Sequence, residues 1–245
     1  MMLLRSLLFE LVFFAWTAAC SIALLAFRPF GFRAAWFWAR AWSRGVLVLL
    51  RALCGVRLRI ESEAPFPEGV AVALAKHQSA LETIAMPIVL PPFCWVLKRE
   101  LLRIPLFGWA LAAVDAIAIR RNTPRKALKQ VLDDGMQRLQ DGRWVAIFPE
   151  GTRVAPGETG KYQPSGVMLA KKAGVAIVPI AVATGHVWPK GSWIKRPGTA
   201  AIRILAPIPA HEVRAMDRDA LLALVKQRIE AATRALERET GACAL

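Results

Sequence analysis

Val70-Ala71-Val72-Ala73-Leu74-Ala75 runs directly into Lys76-His77-Gln78-Ser79-Ala80-Leu81-Glu82-Thr83. A short apolar run bounded by a polar loop suits a strand buried on both faces, and Ser79 with Glu82 three residues on is the signature of a helix start. A strand that hands over to a helix in this way is the building unit of an α/β domain with a parallel sheet. The pattern recurs on either side. Further apolar runs at 93–97, 116–119, 144–148, 175–182 and 200–205 read as strands. Between and after them, Leu128, Val131, Leu132, Met136 and Leu139 have helical spacing, as do Leu221, Val225, Ile229, Ala232 and Leu236, and a helix ending at Lys172 is capped by Gly174. Pro179 inside a strand run predicts an edge or a bulge. The expected fold is α/β, with a mainly parallel central sheet flanked by helices over residues 61–245.

Composition sets the class of partner. The 245 residues leave room for one such domain and an appendage. The chain is 56% hydrophobic yet carries 33 Lys+Arg against 18 Asp+Glu, a formal net charge of +15. Greasy and basic together suit an anionic membrane surface, and the nearly uncharged leading segment argues against a nucleic-acid binder. Cys20, Cys54, Cys94 and Cys243 are scattered without metal-type spacing, so neither a disulfide framework nor a metal site is expected.

Residues 1–60 read as an N-terminal two-helix membrane segment. From 6 to 27 the chain is apolar apart from Glu10 and small polar residues, about the length that crosses a hydrocarbon core. A secretory signal is the alternative, with Thr17-Ala18-Ala19-Cys20 as a cleavage-like stretch, but apolar residues continue to Phe27. Over 33–53, Arg33, Arg40, Arg44 and Arg51 fall within about 20° of one helical line, with Trp38, Trp42, Val46, Leu49 and Leu53 opposite. Such a helix either lies in the membrane interface, arginines on phosphates and aromatics among the headgroups, or packs on the core with its arginines in water; the Trp content favours the interface. Only Arg5 precedes the first apolar segment while Arg28, Arg33, Arg40 and Arg44 follow it, which places the domain on the cytoplasmic face.

In parallel sheets, chemistry gathers where strands end and loops begin. After the first strand, His77 has a carboxylate five residues on, Glu82, able to act as base and orienting partner if His77 lies in the loop and Glu82 in the first helical turn. The same Glu82 also completes a capping box with Ser79, and spacing does not separate the two roles. Phe148-Pro149-Glu150-Gly151-Thr152-Arg153 offers a glycine for close backbone approach, a hydroxyl and a guanidinium fork, a plausible phosphate site and equally an ordinary turn. Ile119-Arg120-Arg121 ends another strand with two arginines. No Gly-x-Ser-x-Gly elbow is present, which disfavours a serine hydrolase.

Taken together and in this order, these pieces resemble the lysophosphatidic acid acyltransferase family of the glycerolipid acyltransferases over residues 65–209. The family's His-(four residues)-Asp motif is matched by His77 with Glu82 in place of Asp; its second motif ends on Arg121; Phe148-Pro149-Glu150-Gly151-Thr152-Arg153 matches the third, and Val178-Pro179-Ile180 the fourth. Residues 98–109 are similar to the family's connector. The resemblance implies that His77 is the general base, that Glu82 holds its ring, and that Arg121, Glu150, Gly151, Thr152 and Arg153 bind the acceptor. It implies transfer of a fatty acyl group to the sn-2 hydroxyl of lysophosphatidic acid, with acyl-CoA or an acyl carrier protein thioester as co-substrate, membrane phospholipids as partners, and no metal or resident cofactor. Sister acylations of another lysolipid or of glycerol 3-phosphate, or phospholipid binding without turnover, are the alternatives. His186 and His211 fall outside the motifs and read as structural or surface residues.

Overall fold

The computed structural model describes residues 1–120 and 122–242; Arg121 and Cys243 lie outside them. In chain order the elements are α1 (Met2–Phe27), α2 (Phe32–Cys54), β1 (Val56–Ser62), β2 (Ala71–Ala75), α3 (Leu81–Val89), β3 (Phe93–Lys98), a 3-10 turn (Arg99–Arg103), α4 (Phe107–Ala113), β4 (Ile117–Ile119), α5 (Pro124–Gln140), β5 (Trp144–Ile147), α6 (Ser165–Ala173), β6 (Ala176–Ala183), β7 (Gly198–Ile204), α7 (Ala210–Ala215) and α8 (Arg218–Glu239). The strands form one sheet in the order β1-β7-β6-β2-β5-β3-β4. All pairs are parallel except β6–β7.

Alternation along β2 shows how the layers are made. Ala71, Ala73 and Ala75 point toward the side covered by α2, α3 and α4, where they join Trp36, Met86, Phe93 and Trp95. Val72 and Leu74 point to the opposite layer and pack with Val131, Leu169 and Val225 of α5, α6 and α8. Every residue of β2 is therefore buried, as a strand covered on both faces requires. Pro179 sits in β6, well inside the sheet, opposite Leu74 of β2. Its carbonyl accepts from Leu205 N just past the last β6–β7 pair, Ile180 with Ile204, so its missing N–H falls where β7 has already ended. The proline occupies a local edge of an interior strand.

Two expectations about the N-terminal segment are corrected. Val56–Ser62 is an edge strand paired along its length with β7, so the division between helices and sheet domain falls at Gly55 and not near residue 61. The second correction concerns α2. Its buried positions, Ala35, Trp36, Ala39, Ser43, Val46, Leu50 and Cys54, recur at helical spacing and pack on the domain, with the Trp36 ring 5.2 Å from Phe93 and 5.8 Å from Trp95. Trp42 Nε1 donates to Thr17 Oγ1 at 3.0 Å, across to α1. The aromatic side is thus spent on the core and on α1, while Arg33, Arg40, Arg44 and Arg51 are exposed. A helical stripe looks alike whether it meets lipid or sheet, and only the folded partner decides.

α1 is long and apolar enough to cross a membrane, but it lies along the domain instead of projecting from it. Arg5 Nε donates to Leu53 O near one end, and Arg28 Nε donates to Ala113 O at 2.7 Å just past the other. It crosses α2 so closely that a Cβ on Gly45 would stand 2.3 Å from the Trp16 indole nitrogen. The outer face exposes Leu4, Leu7, Leu8, Leu11, Phe14 and Ile22.

Candidate active site

β2 and β5 are parallel neighbours, so the loops that leave their C-terminal ends, 76–80 and 148–153, meet on one edge of the sheet. Val154 N donates to His77 O at 2.8 Å and ties the two loops together. β6 is the other neighbour of β2, and its exit supplies Thr184 and Gly185, whose N–H groups donate to Gln78 Oε1 at 3.1 and 3.2 Å. Three consecutive strands of the sheet thus converge on residues 77–82.

Glu82 is fully buried in the first turn of α3 and His77 lies in the loop before it. Glu82 Oε1 stands 2.8 Å from His77 Nδ1 and also accepts from Gln78 N at 2.8 Å and Ser79 N at 2.7 Å. Glu82 Oε2 accepts from Thr184 Oγ1 at 2.7 Å. The same oxygen thus accepts from the Ser79 backbone N–H and faces the imidazole, while Ser79 Oγ accepts from Leu81 N at 3.2 Å. With the Glu82 oxygen accepting, His77 donates from Nδ1–H, which leaves the Nε2 lone pair available. The imidazole stacks on the Phe148 ring, centroids 4.0 Å apart. Among the described residues, Nε2 has no hydrogen-bond partner.

Beneath His77 is a buried polar cluster that spacing did not announce. Lys76 Nζ donates to Glu150 Oε1 at 2.7 Å, Glu230 Oε1 at 2.9 Å and Glu158 O at 2.9 Å. Glu150 Oε2 accepts from His77 N at 3.1 Å, and its Oε1 also accepts from Gly160 N at 3.0 Å. Glu150, expected to contact the acceptor, instead faces inward and holds the loop. Tyr162 OH donates to Glu230 Oε1 at 2.9 Å; burial, and after it the Glu230 carboxylate, pushes the phenol far above its ordinary range, so it remains a donor. From the next turns of α8, Glu237 Oε1 accepts from Gln78 Nε2 at 2.7 Å. The residues on either side of His77 are therefore gripped by the C-terminal helix.

Gly151 adopts φ +66°, and a Cβ there would meet nothing within 4 Å. The glycine serves a left-handed turn and not close approach of protein backbone. Thr152 is exposed beside Lys190, whose Nζ reaches its Oγ1 at 3.3 Å and Arg153 O at 3.0 Å. His77, Phe148 and Arg153 border a cavity of about 350 Å³ whose other walls are mainly apolar, among them Leu24 of α1, Trp38 and Trp42 of α2, and Trp95 of β3. Lys98, at the end of β3, brings a second cation to it. Arg120 lies outside that cavity, and the expected role of Arg121 falls on a residue outside those described. His186 is buried, with Nε2 donating to Thr199 O at 3.1 Å and burial lowering its pKa, and His211 is exposed on α7; neither lines the cavity.

A family model described as Acyltransferase matches residues 57–183, slightly more than half of the chain. The chain belongs to this acyltransferase family. The match covers the sheet from β1 to β6, and with it both site loops of the acyltransferase domain. The chain is 44% identical over 168 residues to a 1-acyl-sn-glycerol-3-phosphate acyltransferase of Pseudomonas aeruginosa, spanning 69% of this chain and 65% of that one. It is 33% identical over 146 residues to a chloroplastic 1-acyl-sn-glycerol-3-phosphate acyltransferase of Arabidopsis thaliana, covering 59% and 41%. The aligned stretch thus spans less than two thirds of either relative. The crystal structure of the 1-acyl-sn-glycerophosphate acyltransferase of Thermotoga maritima superposes with a TM-score of 0.81 over 96% of both chains at 20% identity, which establishes the shared α/β fold of the acyltransferase.

Proposed function

We propose that this acyltransferase moves a fatty acyl group from an acyl thioester to the sn-2 hydroxyl of lysophosphatidic acid, forming phosphatidic acid. The observation that carries the reading is the 2.8 Å His77–Glu82 pair set at an apolar cavity that also holds Arg153 and Lys98. The named activity of the bacterial and plastid relatives supports the same acceptor.

The chemistry follows from the arrangement. Arg153 and Lys98 bind the acceptor phosphate, and the sn-2 hydroxyl, whose oxygen is about four bonds from the phosphorus, is thereby held at His77. Nε2 takes the hydroxyl proton as the oxygen attacks the thioester carbon, while Glu82 stabilises the imidazolium that forms. The C–O bond closes, the C–S bond opens, and the departing thiolate leaves with the proton. No acyl-enzyme, metal or resident cofactor enters. The aromatic and aliphatic walls accommodate a fatty chain. Residues 56–242 serve as the catalytic domain and α1 with α2 as its membrane seat. The outer leucines of α1 enter one leaflet of the cytoplasmic face, and the exposed arginines of α2 rest on lipid phosphates.

The test is transfer by the purified full-length protein in detergent, offered lysophosphatidic acid, glycerol 3-phosphate and other lysolipids with acyl-CoA and acyl carrier protein donors. Phosphatidic acid acylated at sn-2 is the expected product. Product from a different acceptor only, or lipid binding without turnover, overturns the proposal.

A further inference from the structure

A second cleft, of about 260 Å³, lies across the Arg99–Arg103 turn from the catalytic cavity and is lined by Arg99, Glu100, Arg103, Arg120 and Asn122. Lys98 and Leu101 of the same segment line the catalytic cavity, so the turn is a shared wall. Among the described residues, none of the three arginines makes an ion pair, and Glu100 is matched, loosely, with Lys98 at 3.9 Å. The first turn of α5, which follows Asn122, adds Arg125 and Lys126 and contains no acid, the reverse of what a helix N-terminus favours. All three arginines are exposed at this one cleft, and their planar forks match phosphate oxygens.

Resting on the acyl-transfer reading above, the geometry points to this cleft as the seat of the phosphates of a coenzyme A thioester, with Arg99, Arg103 and Arg120 as their ligands. An acceptor's phosphate is only a few bonds from its reacting hydroxyl and must share a cavity with His77, where Arg153 and Lys98 already stand. A charge that binds beyond the turn belongs to a molecule whose reactive carbon is far from its phosphates. Coenzyme A has that build: an uncharged pantetheine arm separates the thioester from a diphosphate and a 3′-phosphate. The cleft is concave and small, suited to a compact polyanion and not to the broad acidic surface of a carrier protein.

The experiment compares wild type with the triple variant Arg99→Ala/Arg103→Ala/Arg120→Ala in neutral detergent, using palmitoyl-CoA, palmitoyl-3′-dephospho-CoA and palmitoyl-pantetheine. Loss of charged hydrogen bonds raises the variant's KM for palmitoyl-CoA by at least about 10-fold. The expected penalty is smaller for the dephospho donor and absent for palmitoyl-pantetheine, which also shows the variant to be folded, and KM for lysophosphatidic acid is unchanged. A rise in the acceptor's KM in place of the donor's assigns the cleft to the acceptor and overturns the inference. So does an equal loss with palmitoyl-pantetheine, or a defect that appears only on anionic vesicles, which makes the arginines a lipid contact. Wild-type transfer from an acyl carrier protein with none from palmitoyl-CoA sinks the inference while leaving the acyltransferase function standing.

Discussion

At Glu82 the same oxygen that closes a helix cap also faces the imidazole, and a substitution can separate the two duties. In Glu82→Gln the amide oxygen still accepts from Gln78 N, Ser79 N and His77 Nδ1, while the Thr184 hydroxyl can turn to accept from the amide nitrogen. The cap survives and the charge does not. Thermal stability is therefore expected to stay close to wild type while turnover drops about 10²-fold or more, as with loss of an acid–base partner; near-normal turnover would remove the carboxylate charge from the mechanism. His77→Ala sets the floor, at a loss of about 10²–10⁴-fold. This pair was legible in the chain because its members are five residues apart and a strand–loop–helix junction leaves them one way to meet. Glu150 was misread for the complementary reason. It belongs to a recognisable loop motif, but its direction is set by Lys76 and Glu230, 74 and 80 residues away on either side of it.

Among elements, α1 is seated on the domain through Lys195. That side chain is fully buried, paired with Glu10 of α1, and lies over the rings of Phe9 and Trp188 at 5.0 and 4.6 Å. The loop it belongs to also contributes Trp188 O, which accepts from Ser79 Oγ at 2.7 Å beside the His77–Glu82 pair. Removing one member of a buried ion pair leaves the other charged in apolar surroundings and costs about 3–5 kcal/mol, whereas replacing both by apolar groups is often neutral. Glu10→Ala should lower the unfolding temperature in detergent markedly, and Glu10→Ala/Lys195→Met should restore most of the loss. If the double variant is no more stable than the single, the pair is not what seats the helix. From sequence, Glu10 was only an interruption in an apolar run, because its partner lies 185 residues away.

For the whole molecule, the leucine face of α1 and the exposed arginines of α2 are two chemistries that a bilayer surface satisfies together. Full-length protein is expected to sediment with anionic vesicles, and substituting Arg33, Arg40, Arg44 and Arg51 by Gln should weaken binding more at low than at high ionic strength. Equal partitioning of both proteins onto neutral and anionic vesicles would show that the leucines act alone. The α/β class, six of the seven strands and the two main site loops could be read from the chain, because strand alternation, buried runs and strand-end loops are local patterns with short periods. The edge strand β1 was missed although Val56-Arg57-Leu58-Arg59-Ile60-Glu61 alternates apolar and charged residues as a half-covered strand does, and its place depends on β7, some 140 residues later. Which surface covers the aromatic side of α2, which carboxylates brace Lys76 and Gln78 from α8, and that α1 lies along the domain were decided only on folding. Each depends on contacts between segments far apart in sequence, and an amphipathic stripe or a lone charge carries no label for the partner that will bury it.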